Sequence, residues 1–287
     1  MVVYGRPIQQ LGWGLLGASA AFAFAVWMFF FPESIPEKFA WDVEPRLAQA
    51  FIGAGYVFRT FFFLAIAFGR DWLKLRWMMW GNLVFTGVLL LATFWHADQF
   101  NWPPSQTLAG HFWVILYIFE PVTMLYIVPW AILTAPAPTT GGPVHRLVRI
   151  FLIFTTGLLL MHGLLLVLNP EFAGTRWPWE LNSLDAQIIA AWFLGWSAWC
   201  GTMAFARDWD EIRLPAILFV VNGVALLATI VWFRDLFSTT HTTTGSYQVG
   251  IAVLTGLMVL SIVWQERRRP RAVAQRGADT EPEAAPV

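Results

Sequence analysis

Three ionisable side chains interrupt otherwise apolar stretches of this sequence: Arg59, Glu120 and His162. A charged group in the hydrocarbon layer of a membrane costs several kcal/mol unless it has a partner, so such residues are the first candidates for a binding site or a proton relay. Arg59 and Glu120 each lie near the middle of an apolar run, at matching depths from the same side. We predict that they pair.

The pair has two interpretations. In the first it is a buried ion pair that fixes helix register, costly to break one-sidedly but of small net stability. In the second it is a polar site at the membrane midplane for an ion, a proton or a ligand headgroup. Glu120 precedes Pro121, and Pro129 follows in the same run. The prolines predict a kink that exposes backbone carbonyls, which favours the second interpretation.

The histidines raise the question of a metal or haem. His96 and His111 lie at neighbouring ends of two apolar runs, and two histidines on adjacent helices could ligate a transition metal or haem. However, no His-x-x-His, Cys-x-x-Cys or Glu-x-x-His spacing occurs. We therefore predict no metal and no cofactor, and we expect both histidines to bond to water or backbone.

Three tryptophans share one face of a predicted helix. Trp192, Trp196 and Trp199, with Met203, recur at intervals of three and four residues. This stripe has two interpretations: a pocket for a planar or isoprenoid ligand, or a bulky packing face toward another helix or lipid.

The elements that must position these residues are membrane-spanning helices. Hydrophobic residues make up 57% of the chain and charged residues 13%, against about 25% charged residues in a soluble domain. Each apolar run is close to the roughly 20 residues that a helix needs to cross about 30 Å of hydrocarbon. The eight runs lie at 11–31, 47–69, 77–97, 108–133, 147–169, 184–206, 212–233 and 247–265.

Charge in the connections predicts the orientation. Thirteen Lys and Arg residues fall on one side of the predicted membrane and four on the other, while Arg59 lies within a span. Cytoplasmic loops carry an excess of Lys and Arg, so we predict a multi-pass protein of the bacterial inner membrane with both termini in the cytoplasm. The formal net charge is zero, which gives no field to attract nucleic acid.

The sequence also contains an internal repeat. Pro32, Trp41 and Gln49 match Pro170, Trp179 and Gln187 at a constant offset, and further matches follow after a one-residue gap. We predict an all-α integral membrane protein of about eight transmembrane helices, built as two tandem parallel four-helix repeats. The predicted units are residues 1–140, residues 141–265 and a disordered cytoplasmic tail, 266–287. Ser197 stands where Arg59 would fall in the second copy, so the predicted site is asymmetric.

Two connections, from Pro32 to Arg46 and from Pro170 to Asp185, combine proline, acidic and aromatic residues. We expect amphipathic stretches in the membrane interface, with aromatic rings among the headgroups and carboxylates on a solvated rim. The stretch from Pro36 to Trp41, with Gly53 to Tyr56, resembles bacterial multi-pass membrane proteins of uncharacterised activity. This resemblance covers mainly the first repeat and implies no activity.

Three classes of function remain open from the sequence. The preferred one is a non-enzymatic accessory or scaffold subunit, with the lipid bilayer and other membrane subunits as partners. A second is a carrier or channel for a small solute or ion that uses Arg59 and Glu120. The third is an intramembrane enzyme acting on a lipid or isoprenoid, with Glu120 as acid or base. Catalytic residues are not assigned.

Overall fold

The fold is a bundle of long helices. The computed structural model describes residues 8–69, 75–101, 107–134, 141–237 and 243–279, and within these ranges the chain forms helices and turns with no β-strand. Eight of the helices are long and apolar enough to cross a membrane. The predicted all-α class is therefore confirmed, and the eight predicted spans correspond to eight helices that are long and apolar enough to cross a membrane.

In chain order the helices are α1 (Ile8–Phe30), α2 (Ile35–Lys38), α3 (Arg46–Phe68), α4 (Arg76–Trp95), α5 (Leu108–Thr134), α6 (Arg146–Leu168), α7 (Pro170–Gly174), α8 (Ser183–Phe205), α9 (Trp209–Trp232) and α10 (Thr243–Asp279). Short 3-10 turns at Pro32–Ser34, Ala97–Gln99 and Arg234–Leu236 follow α1, α4 and α9. We call the end of the bundle where α3 and α8 begin the acidic end, and the end where they finish the basic end.

The centre of the bundle is formed by α3, α4, α8 and α9. Helix α1 packs along α3, α6 along α8, α5 along α4 and α10 along α9, while α4 also packs on α8 and α3 on α9. The most buried span is α8, with 78% of its apolar window inside the bundle. One hydrophobic core runs through both halves of the chain. The predicted boundary at residue 140 lies outside the described residues.

Glycines let the central helices approach closely. A Cβ at Gly81 on α4 would lie 1.7 Å from Cδ1 of Trp199 on α8, and a Cβ at Gly55 on α3 would lie 2.6 Å from Cζ2 of Trp192. Small residues of this kind bring membrane helices together where van der Waals packing is the main attraction. Trp192 and Trp199 therefore fit against helix surfaces that carry no side chain.

The two aromatic connections differ from their prediction. Phe39 and Trp41 are buried, as are Trp177 and Trp179, so these rings do not lie among the headgroups as predicted. The chain folds back over the acidic end, and Trp41 packs against Trp113 of α5 with the ring centres 4.6 Å apart. Large aromatic rings gain more by burial under such a connection than at the interface.

The C-terminal segment also differs from its prediction. Helix α10 continues to Asp279, so it covers most of the segment 266–287 that we predicted to be a disordered tail. Apart from Pro270, the residues from Gln265 to Arg276 are mostly Ala, Arg, Gln and Glu, which have high helix propensity and extend a helix that began at Thr243. Residues 280–287 are outside the described ranges.

Candidate functional site

Arg59 and Glu120 meet inside the bundle. Nη2 of Arg59 on α3 lies 2.5 Å from Oε1 of Glu120 on α5, and both residues are buried, with 3% and 6% of their surface exposed. Both helices begin at the acidic end, so their equal depth brings the two side chains together. The predicted pairing is confirmed.

Asn82 on α4 is the third member of this cluster. Its Oδ1 accepts a 2.8 Å hydrogen bond from Nη1 of Arg59, and its Nδ2 donates a 3.0 Å bond to Oε1 of Glu120. Three helices thus supply one closed polar triangle. Sequence reasoning missed Asn82 because only ionisable residues were considered, although a neutral amide within an apolar span is a comparable signal.

Two phenylalanine rings cover the guanidinium group. Cζ of Arg59 lies 5.1 Å from the ring centre of Phe63 and 4.9 Å from that of Phe85. A cation over an aromatic face is attracted by the ring quadrupole, and the attraction grows when water is excluded. The charge of Arg59 is therefore balanced by a carboxylate, an amide and two ring faces.

A pair of tyrosines lies one helical turn nearer the acidic end. The hydroxyl oxygens of Tyr56 on α3 and Tyr117 on α5 are 3.0 Å apart, and either can be the donor. Both residues are buried. The pair extends the polar contact between α3 and α5 beyond the ion pair.

The two carboxylate oxygens of Glu120 differ in their surroundings. Oε2 of Glu120 is buried and makes no hydrogen bond to any of the described residues. A carboxylate oxygen without a donor in a dry environment is costly, so it is the one atom here that a proton, a water molecule or a cation would satisfy. The predicted kink next to it stays a prediction, since α5 continues as one helix through Pro121 and Pro129.

The candidate histidines lie apart from this cluster. Nδ1 of His162 on α6 lies 2.8 Å from the carbonyl oxygen of Leu158, and the His162 ring stacks on Phe193 with centroids 6.0 Å apart. His111 bonds to a backbone carbonyl in the same way, 2.9 Å from that of Thr107.

His96 instead bonds to two side chains, those of Gln187 and Gln99, at 3.2 and 3.1 Å. The backbone contact expected for His111 is confirmed, whereas His96 uses amide side chains. In the described part of the chain, no group of three or more His, Cys, Asp or Glu side chains could hold a metal ion.

The tryptophan stripe of α8 is packed between helices. Trp192, Trp196 and Trp199 are all buried, and the indole N–H of Trp199 donates to the carbonyl of Met78 on α4. Trp196 lies among aromatic rings, 5.9 Å from that of Phe51 on α3. Its indole N–H is buried without a partner among the described residues.

Asp185 is a buried acceptor, and the prediction that it lies on a solvated rim was wrong. Its Oδ1 accepts a 2.9 Å bond from the indole N–H of Trp41, while Oδ2 accepts from Nδ2 of Asn182 at 2.8 Å and the backbone N–H of Glu44 at 3.2 Å. Three donors satisfy the carboxylate in place of water, which is why it tolerates complete burial.

A second buried ion pair joins the halves at the basic end. Nη2 of Arg76 on α4 lies 2.9 Å from Oε2 of Glu211 on α9, and the same oxygen accepts a 2.7 Å bond from the indole N–H of Trp77. From the sequence, Arg76 was expected only as a charge in a connection, because position along the chain does not reveal that a helix end is covered by another helix.

Comparison of the chain with protein-family models, with curated proteins and with solved structures gives no match. The resemblance to bacterial multi-pass membrane proteins therefore remains an expectation from the sequence.

Proposed function

We propose that the protein is a non-enzymatic scaffold or accessory subunit of a membrane complex. The observation that carries this proposal is the closed triangle of Arg59, Asn82 and Glu120, in which the polar groups bond mainly to one another. A side chain that binds and releases a solute needs a route to water. A side chain that fixes helix register instead keeps the same hydrogen-bond partners within the protein.

The contacts between the halves support the same proposal. Besides the polar contacts of Asp185 and Glu211, the hydroxyl of Thr202 on α8 donates a 2.7 Å bond to the carbonyl of Trp77 on α4. Carriers that work by alternating access move one bundle against the other. Buried bonds at both ends and along the centre oppose such rocking and favour a rigid body.

We also propose that the halves are tandem parallel repeats. Two matched residue pairs support this arrangement: Trp41 packs against Phe100 with ring centres 5.4 Å apart, and Trp179 packs against Phe237 at 6.0 Å. Helix α1 also packs on α3 in the first half as α6 packs on α8 in the second half, which is the pairing that two copies of one unit would have. We place both termini in the cytoplasm of a bacterium, because the basic end carries most of the Lys and Arg residues.

Native mass spectrometry tests the scaffold proposal. The protein is extracted from its own membrane in a mild detergent and compared with the same sample after a harsher detergent that separates subunits. We expect a mass above the 32.5 kDa of the single chain, resolved into a fixed stoichiometry of partner chains. A lone chain after mild extraction would contradict the proposal.

A second candidate function, a carrier or channel for a proton or small cation, is favoured by Oε2 of Glu120, which has no hydrogen-bond partner among the described residues. Reconstitution into liposomes tests it, with a pH-sensitive dye inside and an imposed potential. A carrier requires flux that is lost in Glu120→Gln and kept in Asp235→Asn, a matched carboxylate change on an exposed residue. Equal flux in both variants and in protein-free liposomes would exclude this function.

A further inference from the structure

A groove opens on the outer surface of the bundle between α4, α6 and α8. Its volume is about 350 Å³, within the lower range of small-ligand sites. The walls include Trp80 of α4, Leu160 of α6, and Leu194, Gly201 and Phe205 of α8. This groove is separate from the triangle of Arg59, Asn82 and Glu120.

The walls of the groove suit an apolar occupant. The three hydroxyl groups that line it already donate to backbone carbonyls: Thr156 to Leu152 at 2.8 Å, Ser197 to Thr156 at 2.9 Å, and Thr202 to Trp77 at 2.7 Å. Their hydrogens are therefore not available to a ligand. The remaining lining consists of aliphatic and aromatic side chains and a glycine, which attract hydrocarbon by dispersion.

The length of the groove matches one leaflet of a bilayer. The stretch of α8 from Leu194 to Phe205 covers about 17 Å at 1.5 Å per residue, and half of the hydrocarbon core is about 15 Å. The groove runs from mid-depth to the basic end, where α8 finishes. An extended chain lying along the helices has this shape, whereas a compact solute does not.

The basic end of the groove lies next to Arg149, and two more arginines lie close to it along the chain. Phe205 lines the groove, and Nη2 of Arg149 on α6 donates a 3.0 Å bond to the carbonyl of the next residue, Ala206. Arg146 and Arg207 nearby are exposed. An arginine has five N–H donors in a fixed fork that matches phosphate oxygens, so Arg149 keeps donors for a headgroup after bonding to Ala206.

We propose that this groove binds an anionic phospholipid from the leaflet at the basic end. One acyl chain lies along α8 over Gly201, and the phosphate sits at Arg149. Charge complementarity selects an anionic headgroup, since each nearby arginine favours anionic over zwitterionic lipid. The site does not depend on the scaffold function, because it needs only the surface of α4, α6 and α8.

Lipid titration followed by native mass spectrometry tests the proposal. Delipidated protein is titrated with phosphatidylglycerol and, separately, with phosphatidylcholine of the same acyl chains. We expect one phosphatidylglycerol to bind at least about tenfold more tightly than phosphatidylcholine. Gly201→Leu and Ala198→Leu each fill the groove and should remove this tight binding for both lipids. Arg149→Gln should keep one bound lipid but weaken the preference for phosphatidylglycerol, because Arg146 and Arg207 keep their charges.

Gly157→Leu is the matched control. Gly157 is on α6 next to Thr156 but is exposed, and a Cβ added there would meet no atom of the described residues within 4 Å. Lipid binding by this variant should therefore equal that of the wild type. Unchanged lipid binding in both groove-filling variants would overturn the proposal. Equal affinity of the wild type for the two lipids would overturn the headgroup assignment. Displacement of the phospholipid by a co-purifying apolar molecule or by a partner helix would assign the groove to another occupant.

Discussion

The indole N–H of Trp41 donates a 2.9 Å hydrogen bond to Oδ1 of Asp185, a residue 144 positions further along the chain with no exposed surface. This bond ties the connection before α3 to the start of α8 at the acidic end. Arg76 and Glu211 join α4 to α9 at the basic end. The two halves of the bundle are thus fastened by buried polar contacts at both ends.

Replacement of Asp185 by Asn should destabilise the protein. The amide NH₂ of Asn would face either the indole N–H of Trp41 or the donors from Asn182 and Glu44, so at least one donor loses its acceptor. Loss of a buried hydrogen bond to a charged group costs about 1.5–3 kcal/mol. Thermal unfolding in detergent, followed by tryptophan fluorescence, measures the change. Asp235→Asn, at an exposed carboxylate of the same end, is the control, and equal melting of the two variants would refute the role of Asp185.

Breaking the central triangle on one side should cost more than removing all of it. Glu120→Gln leaves the guanidinium of Arg59 without a counter-charge, which costs about 3–5 kcal/mol. The triple variant Arg59→Met, Asn82→Leu, Glu120→Leu removes every polar group of the triangle and should recover most of that loss. Unfolding curves of the two variants and the wild type measure the difference. A triple variant less stable than Glu120→Gln would show that the polar contacts themselves supply net stability.

A methyl group at Gly81 should disrupt the contact between α4 and α8. The added Cβ would lie 1.7 Å from Cδ1 of Trp199, so the helices must separate, at a cost of about 1–3 kcal/mol or more. Gly87→Ala, on the same helix with open space around it, should be neutral or stabilise by up to about 1 kcal/mol through better helix propensity. Similar stability of the two variants would contradict the close packing of Trp199 on Gly81.

Cysteine labelling tests the proposed orientation. The chain has one cysteine, Cys200, which is buried, so Cys200→Ala gives a background without exposed thiols. An impermeant maleimide should label Glu33→Cys in intact cells and Arg146→Cys only after permeabilisation, since both positions are exposed at opposite ends of the bundle. Gly157→Cys, inside a span, should stay unlabelled in both conditions. The reverse pattern at Glu33 and Arg146 would place the basic end outside the cell.

The sequence predicted the spans and one central contact because hydropathy reports depth. Each apolar run is as long as the bilayer is thick, and Arg59 and Glu120 share a depth, so their pairing needed only that α3 and α5 come near each other. Asn82 was missed because it is uncharged. Its contribution depends on which face of α4 meets the ion pair, and hydropathy does not report the direction of a side chain.

The ends of the bundle were harder to predict for a related reason. An acidic residue such as Asp185 beside a span is usually solvated, and a tryptophan there usually lies among headgroups. Here the connection folds over the bundle and supplies Asp185 with donors from distant parts of the chain. Only the tertiary arrangement reveals that Trp41 and Asp185 satisfy each other.

The most direct test of the scaffold proposal compares two proteins by native mass spectrometry after mild extraction from their own membrane. These are the wild type and the triple variant Arg59→Met, Asn82→Leu, Glu120→Leu. If the polar triangle only fixes helix register, both proteins should carry the same partner chains in the same stoichiometry, above the 32.5 kDa of the single chain. A lone wild-type chain, or a folded triple variant that has lost its partners, would contradict the account.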